Sequence, residues 1–126
     1  MKTSEMKLSY YYQNGFYNVT EEEEMEIVRY IKENGKNVAT LYRGLQLEEV
    51  PEVDDEIFLN GEHSFASMST NFEHASYFGD VVLVVKNLQA VKLEESEEID
   101  EWLVEDRKLY VTEIEEKNGL VLAYCE

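Results

Sequence analysis

From Val38 onward the chain is a succession of short segments rich in β-branched and aromatic residues, and this succession restricts the fold more than any other feature. Two Asn-Gly pairs, Asn60-Gly61 and Asn118-Gly119, predict tight turns, and the second predicts a hairpin between the last two segments. Pro51 and the acidic residues that follow it predict a surface connection. We predict seven strands: Val38–Arg43, His63–Ser67, Val81–Lys86, Ala90–Leu93, Glu101–Val104, Lys108–Glu115 and Leu120–Tyr124.

Ahead of the strands, Glu21–Lys36 has the period of an amphipathic helix, with Thr20 as its N-cap and Gly35 as its stop signal. Its apolar stripe consists of Met25, Ile27, Val28 and Ile31. A second, short helix is predicted for Asn71–Phe78. A chain of 126 residues suits one hydrophobic core. We therefore expect a single α+β domain over residues 1–126, with an N-terminal helical segment and two packed, mainly antiparallel sheets.

The charge balance restricts the partners. The 28 acidic and 11 basic side chains give a net charge of −17, which repels nucleic-acid backbones and anionic membranes and attracts basic proteins. The same balance is also typical of a solubilising surface without a specific partner, and of a protein that imitates nucleic acid. No apolar stretch approaches the ~20 residues that cross a bilayer. The absence of a secretory pattern and the single cysteine, Cys125, favour a cytoplasmic location.

Three separated segments carry the residues that could do chemistry. The first two place polar side chains at or near the end of a predicted strand. In Leu41-Tyr42-Arg43-Gly44, an arginine at a strand end presents a planar fork that grips a diphosphate, and the glycine lets a flat ring approach the backbone. Taken alone, an edge arginine paired with a surface carboxylate is the simpler interpretation. In the second segment, Ser67 and Ser69 share one face of a strand and could orient a carboxylate or a ligand hydroxyl. A helix N-cap made by Ser69 or Thr70 is the alternative.

The third segment is Glu101-Trp102-Leu103-Val104, in which one glutamate precedes an apolar strand. Its carboxylate is either catalytic or the last solvated charge of the acidic run before it. His63 and His74 fit structural or surface positions better than metal ligation, and we expect no metal.

In this order the segments resemble the arginine-serine-glutamate class of mono-ADP-ribosyltransferases, which occurs among bacterial toxins and bacteriophage enzymes. The matching motifs are Tyr42-Arg43-Gly44, Phe65-Ala66-Ser67-Met68-Ser69 and Glu101-Trp102-Leu103-Val104. Phe78-Gly79 falls where family members often carry an aromatic-Gly step, and Tyr10 to Asn18 matches the lead-in to the first helix more loosely. The resemblance extends from about Tyr10 to Tyr124 and is most specific in the serine segment.

The resemblance implies an ADP-ribosyltransferase-like fold around an NAD cleft, with NAD as substrate. It also implies that Arg43 holds the NAD phosphates and that the backbone at Gly44 holds the nicotinamide amide. Phe78 would stack on the nicotinamide ring, although a core anchor is its alternative role. Ser67 and Ser69 belong to the NAD-binding serine segment.

The same resemblance makes Glu101 and Ser67 catalytic. Ser67 would orient Glu101, which would bind the nicotinamide ribose and stabilise the positive charge that develops as nicotinamide leaves. The ADP-ribose would then pass to a target protein. Many relatives carry Glu or Gln two positions before this glutamate, where the chain has Ile99, so arginine specificity is in doubt; Glu98 or Asp100 could substitute.

Two other functions are compatible with the sequence. One is an NAD-binding protein or NAD glycohydrolase that lacks efficient transfer. The other, from a different class, is a noncatalytic acidic interaction protein or nucleic-acid mimic. Net charge favours the latter, but it does not explain the ordered arginine, serine and glutamate segments.

Overall fold

The computed structural model describes residues 20–47, 49–60, 64–92 and 101–126. Several sequence predictions fall outside these residues. They concern the lead-in at 10–18, Gly61, His63, Leu93, Glu98, Ile99 and Asp100. Within the described part, no helix is long and apolar enough to cross a membrane.

Helix α1, Glu21–Asn34, begins with a capping box. The hydroxyl of Thr20 accepts a hydrogen bond from the Glu23 N–H at 3.2 Å, and the Glu23 carboxylate accepts one from the Thr20 N–H at 3.1 Å. At the other end the Gly35 N–H donates to the carbonyl of Ile31. Both predicted capping residues, Thr20 and Gly35, are confirmed. The helix stops two residues before Lys36 because Gly35 has extended backbone angles and the next residue starts a strand.

Seven strands and a second helix, α2, follow within the described residues. The strands are β1 (Lys36–Leu45), β2 (Glu56–Phe58), β3 (Phe65–Met68), β4 (Val81–Lys92), β5 (Trp102–Glu105), β6 (Lys108–Lys117) and β7 (Leu120–Cys125), and α2 is Phe72–Ser76. The predicted hairpin turn is confirmed, since Asn118 and Gly119 both have positive φ, at 52° and 80°.

Two elements differ from the sequence prediction. The segments expected as separate strands at Val81–Lys86 and Ala90–Leu93 form the one strand β4, which passes through Asn87 at φ 59°. Asparagine tolerates this left-handed conformation, so β4 continues its pairing with β1 on both sides of it. The short strand β2 lies where only a surface connection was expected, and it pairs with β6.

Strand β4 is the centre of a curled, mixed sheet with the order β2-β6-β7-β4-β5-β3. Its first half, Val81–Val85, pairs in parallel with β7, and its last residues, Ala90–Lys92, pair antiparallel with β5. β1 lies antiparallel along its other edge. A bridge between Tyr42 and Ser69 connects the end of β1 with the end of β3. The α+β class is confirmed, and among the described strands the pairing is antiparallel except between β4 and β7.

Alternation along β3 and β5 separates two faces of the sheet. Ala66, Met68, Trp102 and Val104 point into the main core, together with the buried residues of β4. Phe65 and Leu103 point the other way and pack under Ile27 and Ile31 of α1. Period two puts Ser67 and Glu101 on this second face, so helix packing and the candidate site share one side of the β3–β5 pair.

Candidate active site

A cleft of about 520 Å³ lies between the end of β1, the segment from β3 to α2, and the start of β5. All six residues predicted for the site line it: Arg43, Gly44, Ser67, Ser69, Phe78 and Glu101. The other lining residues are Tyr42, Leu45, Gln46, Met68, His74 and Ala75. Segments that are up to 58 residues apart in sequence therefore meet at one place, while the chemical roles of the six residues stay predictions.

Arg43 is a half-buried cation in the wall of this cleft. Its Nη1 donates a hydrogen bond to the carbonyl oxygen of Ser67 at 2.7 Å, so the arginine contacts the serine segment directly. Among the described residues its Nε is buried and has no hydrogen-bond partner. Burial lowers the pKa of the guanidinium, and the charge of Asp106 opposes this shift. An arginine stays protonated nonetheless, so the wall of the cleft holds a fixed positive charge.

Ser67 and Glu101 contact each other across the β3–β5 pair. The Ser67 hydroxyl donates to Glu101 Oε2 at 3.4 Å, which is long for such a bond and leaves room for it to tighten around a ligand. Register explains the contact, because Met68 lies opposite Trp102 and the two neighbouring side chains turn to the same face. Glu101 is half-buried and lines the cleft, so it is not merely a solvated end of the acidic run.

Ser69 is buried and holds the turn from β3 into α2. Its backbone exchanges hydrogen bonds with Tyr42 at 2.7 and 2.9 Å, and its Oγ accepts a hydrogen bond from the Asn71 N–H at 2.9 Å. Asn71, rather than Ser69 or Thr70, caps α2, because its side chain accepts from the His74 N–H at 3.1 Å. The alternative in which one of these two residues is the helix cap is therefore wrong.

Two glycines bring α2 against the end of β1. A Cβ atom at Gly44 would overlap the carbonyl oxygen of Ala75, and one at Gly79 would overlap the carbonyl of Leu45. The absence of these side chains lets the helix hold Phe78 at the cleft, where its ring is 57% exposed. A residue so exposed is not a core anchor, which removes the alternative role considered for it.

His74 is a lining residue that sequence analysis assigned to a structural or surface position. Its ring packs edge-on against Phe78, with 5.3 Å between centroids, and its Nε2 is buried without a partner among the described residues. The i, i+4 spacing of the two rings was the available signal, since it places them on one side of a helical turn. Within the same residues, no group of three or more His, Cys, Asp or Glu side chains could hold a metal ion.

Comparison with protein-family models finds no match, and neither does comparison with curated proteins. Solved structures match over nearly the whole chain. Exoenzyme S from Pseudomonas aeruginosa has a TM-score of 0.71 at 13% identity, over 98% of this chain and 72% of that one. The ADP-ribosyltransferase toxin Plx2a from Paenibacillus larvae has 0.71 at 12%, over 99% and 85%. The C3 exoenzyme from Clostridium limosum has 0.68 at 12%, over 98% and 84%.

The chain has the mono-ADP-ribosyltransferase fold. At these identities the likeness is one of backbone architecture. In this fold the candidate cleft is formed where β1 and β3 end and β5 begins, near α2, which is where the arginine, serine and glutamate motifs converge.

Proposed function

We propose that the chain is a mono-ADP-ribosyltransferase that cleaves NAD at the nicotinamide–ribose bond and transfers ADP-ribose to a target protein. The observation that carries this proposal is the Ser67–Glu101 contact, which faces a cleft with the Arg43 guanidinium in its wall. The fold neighbours add support, since the solved structure of exoenzyme S contains carba-NAD and human 14-3-3 protein beta.

Charge supports Arg43 as the phosphate ligand. NAD carries a diphosphate, and a protein with a net charge of −17 repels it unless a cation is placed at the site. Arg43 is the only Lys or Arg among the described residues that line the cleft. Only its Nη1 has a hydrogen-bond partner among the described residues, so the guanidinium keeps further N–H groups for a charge-assisted bond to a phosphate oxygen. Phe78, exposed at the same cleft, provides a flat apolar surface for the nicotinamide ring.

The reaction breaks the bond between C1′ of the nicotinamide ribose and the ring nitrogen of nicotinamide. The bonding electrons leave with the nicotinamide, which becomes neutral, and a positive charge develops on the ribose. The Glu101 carboxylate stabilises this charge, and the hydroxyl of Ser67 holds the carboxylate in place. A nucleophilic side chain of the acceptor then forms the new bond to C1′ and loses its proton.

We propose a protein as the acceptor and leave the type of modified side chain unassigned. Ile99 occupies the position where many relatives carry Glu or Gln, and it lies outside the described residues. A basic host protein in the cytoplasm is the partner that the charge favours. NAD hydrolysis without efficient transfer is the second candidate function, and Ile99 is the observation that favours it.

The test is incubation of the protein with NAD labelled on its adenylate, with and without cell lysate. Nicotinamide release together with labelled protein bands is the expected result. Release without labelled bands would support the hydrolase instead. Binding is measured separately: NAD at a hundredfold excess over Kd stabilises a protein that binds it by ~2.7 kcal/mol. No stabilisation at millimolar NAD, with salt-sensitive competition against DNA for a basic protein, would support the nucleic-acid mimic.

A further inference from the structure

The stretch between Arg43 and Lys86 contains no lysine or arginine. Its nine acidic residues are Glu48, Glu49, Glu52, Asp54, Asp55, Glu56, Glu62, Glu73 and Asp80. This stretch supplies most of the residues that line the cleft, and the side chains of Glu49, Glu73 and Asp80 are exposed. Glu73 lies on α2, Asp80 follows Gly79 and Glu49 follows the segment of Leu47, so these three exposed acids adjoin the cleft-lining segments. Glu56, by contrast, lies on β2 and pairs with Lys108 of β6.

Three exposed apolar residues, Leu47, Tyr77 and Phe78, lie on two chain segments that pack against each other beside the cleft, and we call them the lip. Their exposed fractions are 41%, 83% and 57%. They lie close together because the backbone of Gly79 packs on the backbone of Leu45, next to the segment that carries Leu47. Phe78 lines the cleft, whereas Leu47 and Tyr77 lie outside it.

Tyr77 is the most exposed large hydrophobic residue among the described ones. Its backbone N–H donates to the carbonyl of His74, so its position is set by the end of α2 while its ring remains in solvent. Exposed tyrosines are among the residue types that most often dominate binding energy at protein interfaces. The lip thus has the composition of a docking surface rather than of a packed edge.

We propose that the lip and its surrounding acids dock a basic segment of the acceptor protein that also carries apolar side chains. This inference rests on the proposed transferase function, since docking there places the segment beside the cleft. Charge decides the occupant. A second copy of the chain carries the same −17 charge, and an anionic membrane is repelled in the same way, whereas a basic polypeptide gains from both the acids and the apolar side chains.

The test uses a fluorescent peptide of alternating arginine and leucine, and a second peptide with serine in place of leucine. Tyr77→Ser and Leu47→Ser remove the lip without touching residues that line the cleft. Tyr110→Ser is the matched control, since Tyr110 is a 48% exposed tyrosine on β6, outside the lip. We expect Tyr77→Ser to raise the Kd for the arginine-leucine peptide by about tenfold, as for loss of an interface anchor. The control should bind like the wild type, and the arginine-serine peptide should bind weakly to all variants.

Nicotinamide release into water separates this inference from the function on which it rests. It should be equal in Tyr77→Ser and wild type, because Tyr77 does not line the cleft. Peptide binding that depends on Tyr77, without release by the wild type, would reject the transferase and keep the docking surface. Equal binding of the two peptides, or equal loss in Tyr110→Ser, would overturn the inference. So would self-association or binding to phosphatidylcholine vesicles that Tyr77→Ser abolishes, since the occupant would then be a second copy or a membrane.

Discussion

Arg43→Met separates ligand binding from stability, because the structure gives the arginine opposing contributions to the folded state. Its Nη1 donates to the Ser67 carbonyl at 2.7 Å, a bond of a charged group worth about 1.5–3 kcal/mol. Burial lowers the pKa of the guanidinium, which means that the folded state disfavours the charged form. That cost is relieved only as pH rises through the lowered pKa, so it is fully present near neutral pH.

Methionine keeps an unbranched apolar stem and removes both the hydrogen bond and the buried charge. The two contributions have opposite sign, so we expect the free energy of unfolding to fall by less than the hydrogen bond alone is worth, about 1.5–3 kcal/mol. NAD binding has no such compensation. Loss of one charge-assisted hydrogen bond to phosphate costs about 1.5–3 kcal/mol, which raises the Kd by about 10–150-fold.

The assay is calorimetric titration with a non-hydrolysable NAD analogue, next to urea unfolding without ligand. Arg29→Met is the matched control, because Arg29 is an exposed arginine on α1 and its loss changes the net charge equally. An Arg43→Met variant that binds the analogue as tightly as Arg29→Met would refute the phosphate role. A loss of more than about 3 kcal/mol of stability would show that the guanidinium is mainly structural.

Three further outcomes are expected. Gly44→Ala should cost about 1–3 kcal/mol in urea unfolding and also weaken NAD binding, because its Cβ would overlap the Ala75 carbonyl and push α2 away; unchanged unfolding would contradict this packing. Burial raises the pKa of Cys125 to about 11, so iodoacetamide at pH 8 should label only the unfolded protein, and stability should fall as pH rises from 9.0 towards that value. Rapid labelling of the folded protein would contradict the burial. Ser67→Ala should slow nicotinamide release by about tenfold, less than loss of the Glu101 charge, because the serine acts through the carboxylate; an equal or larger effect would give Ser67 a direct role.

The sequence was sufficient to predict structural features that depend only on residues close together in the chain. The ends of α1 follow from Thr20, Glu23 and Gly35, whose bonds lie within one helical turn. The hairpin at Asn118-Gly119 needs only two residues that accept positive φ. Both features involve only a few consecutive residues, which is the range over which capping and turn rules apply.

Pairing between distant segments was not predictable in the same way. Asn87 interrupts the apolar pattern of β4, and only the pairing with β1 on both sides of it shows that the strand continues. The parallel pairing of β4 with β7 joins segments about 40 residues apart, as expected for crossovers rather than hairpins. Strand β2 has three residues, too few for an alternating pattern to stand out.

In the candidate site, too, the features that depend on nearby residues were predictable and those that depend on tertiary packing were not. Alternation predicted that Ser67 and Ser69 share a face, and the family resemblance predicted the residues that meet there. The buried Nε2 of His74 and the exposure of Tyr77 depend on how α2 packs against β1, which no local pattern contains. Residues whose role depends on tertiary burial therefore became visible only in the folded chain.

Glu101→Gln tests the central claim most directly. The substitution keeps the size of the side chain and a hydrogen-bond partner for Ser67, and it removes the negative charge beside the ribose. If this charge stabilises the developing cation, single-turnover nicotinamide release should fall by about 10²–10³-fold, as for loss of one preorganised electrostatic group. NAD affinity should stay within a few fold of wild type, because the contribution belongs to the transition state. Release at the wild-type rate by the folded variant would contradict the assignment of Glu101 and, with it, the proposed mechanism.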